Sequence, residues 1–282
     1  MDKRLILLDR KRNLEDSKEI IHGHHQKGIF QKGCATFKDA DTGIVLYEEE
    51  IPNKVLVGGS AFTASKHWNI KPKAWTPSYN GVLNLENTVN EPYTADSGIR
   101  RDESVFLFCV GTDGCGAENS QVKDVDYTKW ISPESLVPFR YQDSANDLAN
   151  YMREKYYGRR VIGNKIAYYF KEFEAPVEFK QQYSDGIPID ENVYTTSRVE
   201  EVESYAEIIL KITKEDCRDF FYATTGIEDA RVNTISLCTA WKKEIDGFTY
   251  YQDIRPLTKL NFPNEVLIDG TKAIDIIYHI YY

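Results

Sequence analysis

From Val202 to Thr213 the chain alternates with period two. Val202, Ser204, Ala206, Ile208, Leu210 and Ile212 fall on one side; Glu203, Tyr205, Glu207, Ile209, Lys211 and Thr213 fall on the other. Successive side chains of a strand point to opposite faces, so this pattern predicts a strand with one buried face. Thr213 then offers a helix N-cap, and Asp216 three residues on places a carboxylate beside the exposed N–H groups of a first turn. The predicted helix carries Phe220 and Phe221 and ends near Gly226. Residues 231–241 read as a further strand. Ile235, Leu237 and Trp241 share one face, and Thr234, Ser236, Cys238 and Ala240 the other. Asp246-Gly247 signals a tight turn that folds Phe248–Ile254 back on it. Ala273–Tyr282 is a last strand, with Ile274, Ile276, Tyr278, Ile280 and Tyr282 on one face. Its other face (Asp275, Ile277, His279, Tyr281) is only half polar, which puts the strand inside a sheet or at an interface.

The earlier part of the chain is less periodic. Leu5–Leu8, Gly43–Tyr47, Val55–Val57, Ser104–Val110 and Lys165–Glu174 read as strands. Gly58-Gly59 follows the Val55–Val57 strand, and Trp68 and Trp75 read as parts of irregular structure. Residues 81–103, rich in Asn, Glu, Thr and Pro, read as a long arm. Ser144 is a candidate N-cap for a helix that packs through Leu148 and Met152 and ends at Gly158. Residues 175–200 read as a loop. The fold class expected is α+β, largely antiparallel β with a few short helices and long loops. Its expected division is an N-terminal β-rich region, residues 1–175, with the arm, and a C-terminal α+β core, residues 176–282.

Composition narrows the function classes. In 282 residues, 41% apolar and 28% charged is the balance of a folded globular protein. No apolar run approaches the roughly 20 residues of a membrane helix, and Leu5–Leu8 is too short for a secretory signal core. The net charge of −9 argues against generic nucleic-acid binding, which depends on neutralising phosphates. Clusters at Lys3–Arg12 and Arg153–Arg160 read as solvated faces. Five cysteines, with no Cys-x-x-Cys, predict buried free thiols in a reducing cytoplasm.

Candidate chemistry is sparse. His22, His24 and His25 are close in sequence, but a metal would need a further converging ligand. The glycines of Gly111–Gly116 lack the Gly-Lys-Ser/Thr ending of a phosphate loop and the order of a dinucleotide fingerprint. Asp113, Glu118 and Asp124 lack EF-hand spacing. No Gly-x-Ser-x-Gly is present, and Glu48-Glu49-Glu50 reads as a solvated edge. The expectation is that there is no catalytic, cofactor or metal site and that the protein is not an enzyme. Tyrosine is the unusual feature: there are 19, and many are doubled, as at Tyr156-Tyr157, Tyr168-Tyr169, Tyr250-Tyr251 and Tyr281-Tyr282. Neighbours on a strand face opposite ways, so each pair directs one ring away from any single core, either to an outer face or to a protein interface.

Three stretches carry a resemblance. They are Pro138-Phe139-Arg140-Tyr141 with Leu148–Tyr157 and Lys165–Lys171, then Asp229–Cys238, then Ile254–Phe262 with Ile274–Tyr282. Over roughly residues 100–282 the chain resembles structural virion proteins of contractile-tailed bacteriophages, of the neck or head–tail connector type. The resemblance implies a structural virion component that is made in the bacterial host cytoplasm and acts by protein–protein assembly. Its expected partners are further copies of itself, in a ring or other symmetric assembly, and other virion proteins. It implies neither a membrane nor sequence-specific nucleic acid as a partner. A tail, baseplate or capsid accessory protein is the near alternative. A soluble cytoplasmic enzyme or binding protein is the alternative of another class.

Overall fold

The computed structural model describes residues 32–47, 51–68, 78–85, 103–116, 121–148, 155–183, 186–189, 202–223, 232–263 and 272–282. Gln31–Tyr282 forms one compact unit, and Met1–Phe30, which holds the Leu5–Leu8 strand, the first basic cluster and the three histidines, lies outside the described residues. The elements run β1 (Lys32–Asp39), β2 (Ile51–Val55), α1 (Val57–Trp68), α2 (Tyr79–Leu83), β3 (Glu103–Gly111), β4 (Leu136–Val137), β5 (Arg140–Asp143), β6 (Tyr156–Ile162), β7 (Lys165–Glu172), β8 (Glu178–Tyr183), β9 (Val202–Ile212), α3 (Lys214–Ala223), β10 (Thr234–Ile245), β11 (Phe248–Pro256), β12 (Thr258–Asn261) and β13 (Ile274–Tyr281).

The strands form one antiparallel sheet that curls into a half-barrel. The order is β5-β7-β3-β10-β12-β2-β1-β13-β9-β8, with β4, β6 and β11 attached to β3, β7 and β10. The fold is thus mostly β, with α3 packed on β5 as the main helical contact. The short strand β12 joins the two halves. It pairs with β10 through Leu260 and Asn261 and with β2 through Thr258 and Lys259. Curling lets one sheet enclose apolar surface on both faces of its central strands. On β3, Phe108 and Val110 enter a core shared with Phe37, Leu210, Phe262 and Ile276. Leu107 and Cys109 enter a second core with Phe170, Cys238 and Tyr251. Double-sided burial is why β3 reads as a continuous apolar run, whereas β13, buried on one face only, alternates throughout.

The C-terminal strands β9 and β13 lie where their periodicity predicts, whereas Leu257–Phe262, which Pro256 and Pro263 bracket and which reads from its sequence as an irregular link, holds β12. On β9, Ala206, Ile208, Leu210 and Ile212 are buried, and on β13 Ile274, Ile276, Tyr278 and Ile280 are buried. β13 lies inside the sheet, paired with β1 on one side and β9 on the other. The Thr213 cap is reciprocal. Asp216 N–H donates to Thr213 Oγ1 at 3.2 Å, and Thr213 N–H donates to Asp216 Oδ2 at 2.9 Å. The helix α3 that follows is described to Ala223, so an end at Gly226 lies outside the described residues.

Other elements differ. Of the helix expected from Ser144 to Gly158, the described residues show a 3₁₀ turn at Ser144–Asn146 and the start of β6 at Tyr156, and residues 149–154 lie outside them. Asp147, three residues after Ser144, binds the next hairpin: its carboxylate accepts from Tyr168 Oη at 2.6 Å and from Arg159 Nε at 3.3 Å. Gly43–Tyr47 is not a strand; only Val45 makes a bridge, to Lys38. Val55–Val57 spans the end of β2 and the start of α1. That helix runs straight through Gly58-Gly59, because a Cβ at Gly59 would stand 2.1 Å from the Leu257 carbonyl oxygen. The expected arm begins inside α2, whose Leu83 is buried with Leu85 just beyond it, and residues 86–102 lie outside the described residues. The loop expected at 175–200 contains β8. Strands from either side of residue 176 share the sheet: β1 pairs with β13, and β3 with β10.

Candidate functional site

The densest polar cluster is internal. Lys171, on β7, is fully buried, and its ammonium donates to Asp216 Oδ2 at 2.9 Å and to the Lys211 carbonyl at 2.7 Å. It also meets Glu174 at 2.9 Å. Asp216 Oδ1 accepts from Tyr156 Oη at 2.7 Å. One turn along α3, Asp219 pairs with the buried Arg140 at 3.0 Å and accepts from the Tyr141 N–H at 3.1 Å. These groups satisfy one another and clamp α3 to β5, β6, β7 and β9, so they describe an anchor for the helix.

Two of the doubled tyrosine pairs, those on β6 and β7, are interior as well; of the other two pairs, Tyr251 is buried and Tyr282 is exposed. Tyr156 and Tyr168 belong to the first core; Tyr157, Tyr169 and Tyr251 belong to the second, and both rings of each pair on β6 and β7 are buried. The second core is what the sequence pattern leaves out: it supplies the other side for the pairs on β6 and β7. Tyr251 and Tyr157 both donate to Glu172, at 2.7 and 3.2 Å. Tyr79 donates to the Ile131 carbonyl at 2.8 Å, and Tyr278 binds Asn53 and Thr258. Burial holds the phenols of Tyr79, Tyr156, Tyr251 and Tyr278 far above the ordinary tyrosine range, helped at Tyr156 by Asp216 and at Tyr251 by Glu172. These hydroxyls stay protonated in the folded chain while the unfolded chain ionises near pH ~10. Their stabilisation is complete below that pH. Above it, each folded group lowers stability by about 1.4 kcal/mol per pH unit, until the raised folded values are reached. Ultraviolet titration should therefore show these four tyrosines ionising only together with cooperative unfolding. Free, reversible ionisation of all 19 in a chain that keeps its native circular dichroism would contradict this.

Between Asn80, Leu85, Arg159 and the aromatic residues Tyr157, Phe248 and Tyr250 lies a cleft of about 110 Å³. Small-molecule sites usually occupy at least ~300 Å³.

A different group forms on the outer face of the half-barrel. The register places Cys34 of β1 opposite His279 of β13, and His279 opposite Glu207 of β9. The three side chains lie on one rung, perpendicular to the strands. Cys34 Sγ is 3.8 Å from His279 Nδ1, and His279 Nε2 is 3.0 Å from Glu207 Oε2. Lys180 of β8 reaches across from the neighbouring rung, donating to Glu207 Oε1 at 2.6 Å. Lys180, with His279 assisting, holds the Glu207 carboxyl below its ordinary range. The Tyr205 ring packs 5.0 Å from the imidazole. Cys34 and His279 are 245 residues apart, and no motif spacing announces them.

The row ends at β8, the terminal strand of the sheet. Beyond Gln181, residues 186–189 cover its outer edge: Tyr183 N–H donates to the Ile187 carbonyl, and Ile189 N–H donates to the Gln181 carbonyl. Beside Phe179, no strand among the described residues pairs with that edge. Phe179 is 66% exposed and shares its face with Val202 and Tyr282, which are also exposed. Val177 and Ile187 flank it and are exposed too.

The other sequence candidates have structural positions. Gly114 lies where the loop meets Asn233: its N–H donates to Asn233 Oδ1 at 2.7 Å, and a Cβ there would stand 2.1 Å from the Asn233 carbonyl oxygen. Asp113 pairs with Lys259 at 3.0 Å, and Glu118 lies outside the described residues. No group of three or more His, Cys, Asp or Glu side chains among the described residues could hold a metal. All five cysteines are free thiols; four are buried and Cys34 is partly exposed. Cys109 meets Cys238 at 3.7 Å between sulfurs. Among the described residues no helix is long and apolar enough to cross a membrane. No family model matches the chain, and no curated protein and no solved structure matches it either.

Proposed function

We propose that the chain is a structural component of the virion of a contractile-tailed bacteriophage, of the neck or head–tail connector type, and that it works by protein–protein assembly. The observation that carries this reading is the open end of the half-barrel at β8. A terminal strand with a bare backbone edge is a template for pairing with another chain. Here the edge carries an exposed aromatic ring with apolar neighbours, the composition found at the centre of protein interfaces. Glu178 and Lys180 flank Phe179 along the strand, so a second β8 edge running antiparallel would set each acid opposite a lysine. A further copy of the chain and other virion proteins are the partners. The resemblance over residues 100–282 supplies the particle, and the β8 edge supplies the contact.

Phe179→Lys tests this. Replacing a central aromatic should weaken assembly by at least about 2 kcal/mol, roughly thirtyfold in affinity. The thermal midpoint should stay within a degree or two, because the ring is exposed. The measurements are incorporation of the tagged chain into phage particles, and sedimentation of the purified chain with neck and tail proteins. Incorporation equal to wild type would remove the β8 edge from the assembly. Absence of the wild-type chain from purified particles would remove the virion reading. Its place within particles separates neck from tail, baseplate and capsid.

A further inference from the structure

We propose that Cys34, His279 and Glu207 form a nucleophilic thiol site that exchanges with small disulfides, so that Cys34 is a site of S-thiolation. The geometry assigns the proton positions. Ionised Glu207 accepts a hydrogen bond from Nε2–H of His279 at 3.0 Å. The neutral imidazole then turns the lone pair of Nδ1 toward Cys34 Sγ, 3.8 Å away. A carboxylate that orients an imidazole, which in turn faces a nucleophile, is the general arrangement for activating a thiol.

The surrounding charges act in the same direction. The neighbouring rung on this face carries Lys54, Tyr281, Tyr205 and Lys180 on β2, β13, β9 and β8. Glu178, on the rung of the site itself, lies beyond Glu207 and is paired with Lys180 at 3.2 Å. The charge that β2 sets on the rung next to the sulfur is therefore cationic, and Glu207 and Glu178 lie beyond the imidazole. The Tyr205 ring covers the imidazole, and the Tyr281 ring meets it edge-on at 6.2 Å.

The reaction class follows from what the strand offers. Acyl transfer needs backbone N–H donors aimed at a developing oxyanion. Cys34 lies on a strand paired on both sides, with β13 and β2, so the backbone N–H groups around it serve the ladders. Thiol–disulfide exchange needs no such donors. The Sγ–H proton passes to His279 Nδ1, and the thiolate attacks one sulfur of the disulfide RSSR. A Cys34 Sγ–S bond forms as the S–S bond of RSSR breaks. The electron pair leaves with RS⁻, which takes the proton back from the imidazolium. Cys34 is oxidised to the mixed disulfide, and half of RSSR is reduced to the thiol RSH.

The test uses the full-length native chain and dithiobis(nitrobenzoate), whose released thiolate is read by absorbance. The expected result is one fast-reacting thiol per chain, mapped to Cys34 by peptide mass, because the other four cysteines are buried. Its rate should hold up well below the ordinary thiol range. At pH 6.5 it should exceed that of a simple thiol by about fivefold, allowing for the lower nucleophilicity of a more acidic thiol. His279→Ala should remove this advantage, Glu207→Gln should reduce it, and Cys34→Ser should abolish the fast phase. A wild-type rate that follows the pH dependence of a simple thiol would overturn the proposal, and so would a fast phase that His279→Ala leaves unchanged. If the His279 variant does not fold, the wild-type pH profile decides.

Discussion

Deleting Ile274–Tyr282 should leave a chain that does not reach the native fold. β13 is not a tail. It lies inside the half-barrel, with eight residues paired to β1 and eight paired to β9. Its loss opens a gap in the sheet and separates β9 and β8 from β1. Four buried side chains leave with it: Ile274, Ile276, Tyr278 and Ile280. At about 1.5–3 kcal/mol each, their burial alone amounts to roughly 6–12 kcal/mol, against a typical total stability of ~5–15 kcal/mol. Tyr278 adds its hydrogen bonds to Asn53 and Thr258, which tie β13 to β2 and β12. The truncated chain should accumulate as insoluble protein, and any soluble fraction should lack a cooperative thermal transition by circular dichroism. A soluble truncate with the full-length melting profile would show that the fold does not depend on the two ladders of β13.

Replacing Lys171 with methionine should cost about 3–5 kcal/mol, the usual loss when one partner of a buried ion pair is removed. Methionine approximates the volume of the lysine stem, so the effect comes from the ammonium. Without it, Asp216 remains at zero exposure with neutral donors, the Tyr156 hydroxyl and the Thr213 N–H, on its carboxylate, and the Lys211 carbonyl loses the ammonium. Lys165→Met is the control. Lys165 pairs with Asp143 at 2.8 Å, but both side chains are substantially exposed, so the change should cost no more than about 1 kcal/mol. Urea unfolding followed by fluorescence measures both variants. Equal midpoints for the two would show that the Lys171 cluster contributes nothing beyond a surface pair.

The site and the anchor were legible in the sequence to different extents. Thr213 and Asp216 stand three residues apart, and their reciprocal hydrogen bonds could be read as a cap. That the same Asp216 carboxylate also neutralises Lys171 could not be read, because the ion pair joins residues of separate elements. His279 was visible only as one polar position on the less apolar face of the last strand. Its partners Cys34 and Glu207 are 245 and 72 residues away, and nothing local links them. Only the register of three strands makes them neighbours, and a shift of one residue would send each to the opposite face.

Local pattern by itself determined the elements buried on one face. β9 and β13 alternate because one side meets the core and the other meets solvent, and the Asp246-Gly247 turn closes the β10–β11 hairpin as its composition dictates. It also determined that β3 is buried on both sides, since apolar residues run without a break. Tertiary structure alone decided the rest. α1 passes through two glycines because Gly59 must approach Leu257, a contact that lies outside any local window. β6 is a strand because its tyrosines find one core on each side of the curled sheet, and a helical period cannot fill both. β8 lies in a stretch that reads as a loop because it is a terminal strand with little apolar surface to bury, so almost nothing in its sequence marks it until β9 is there to pair with.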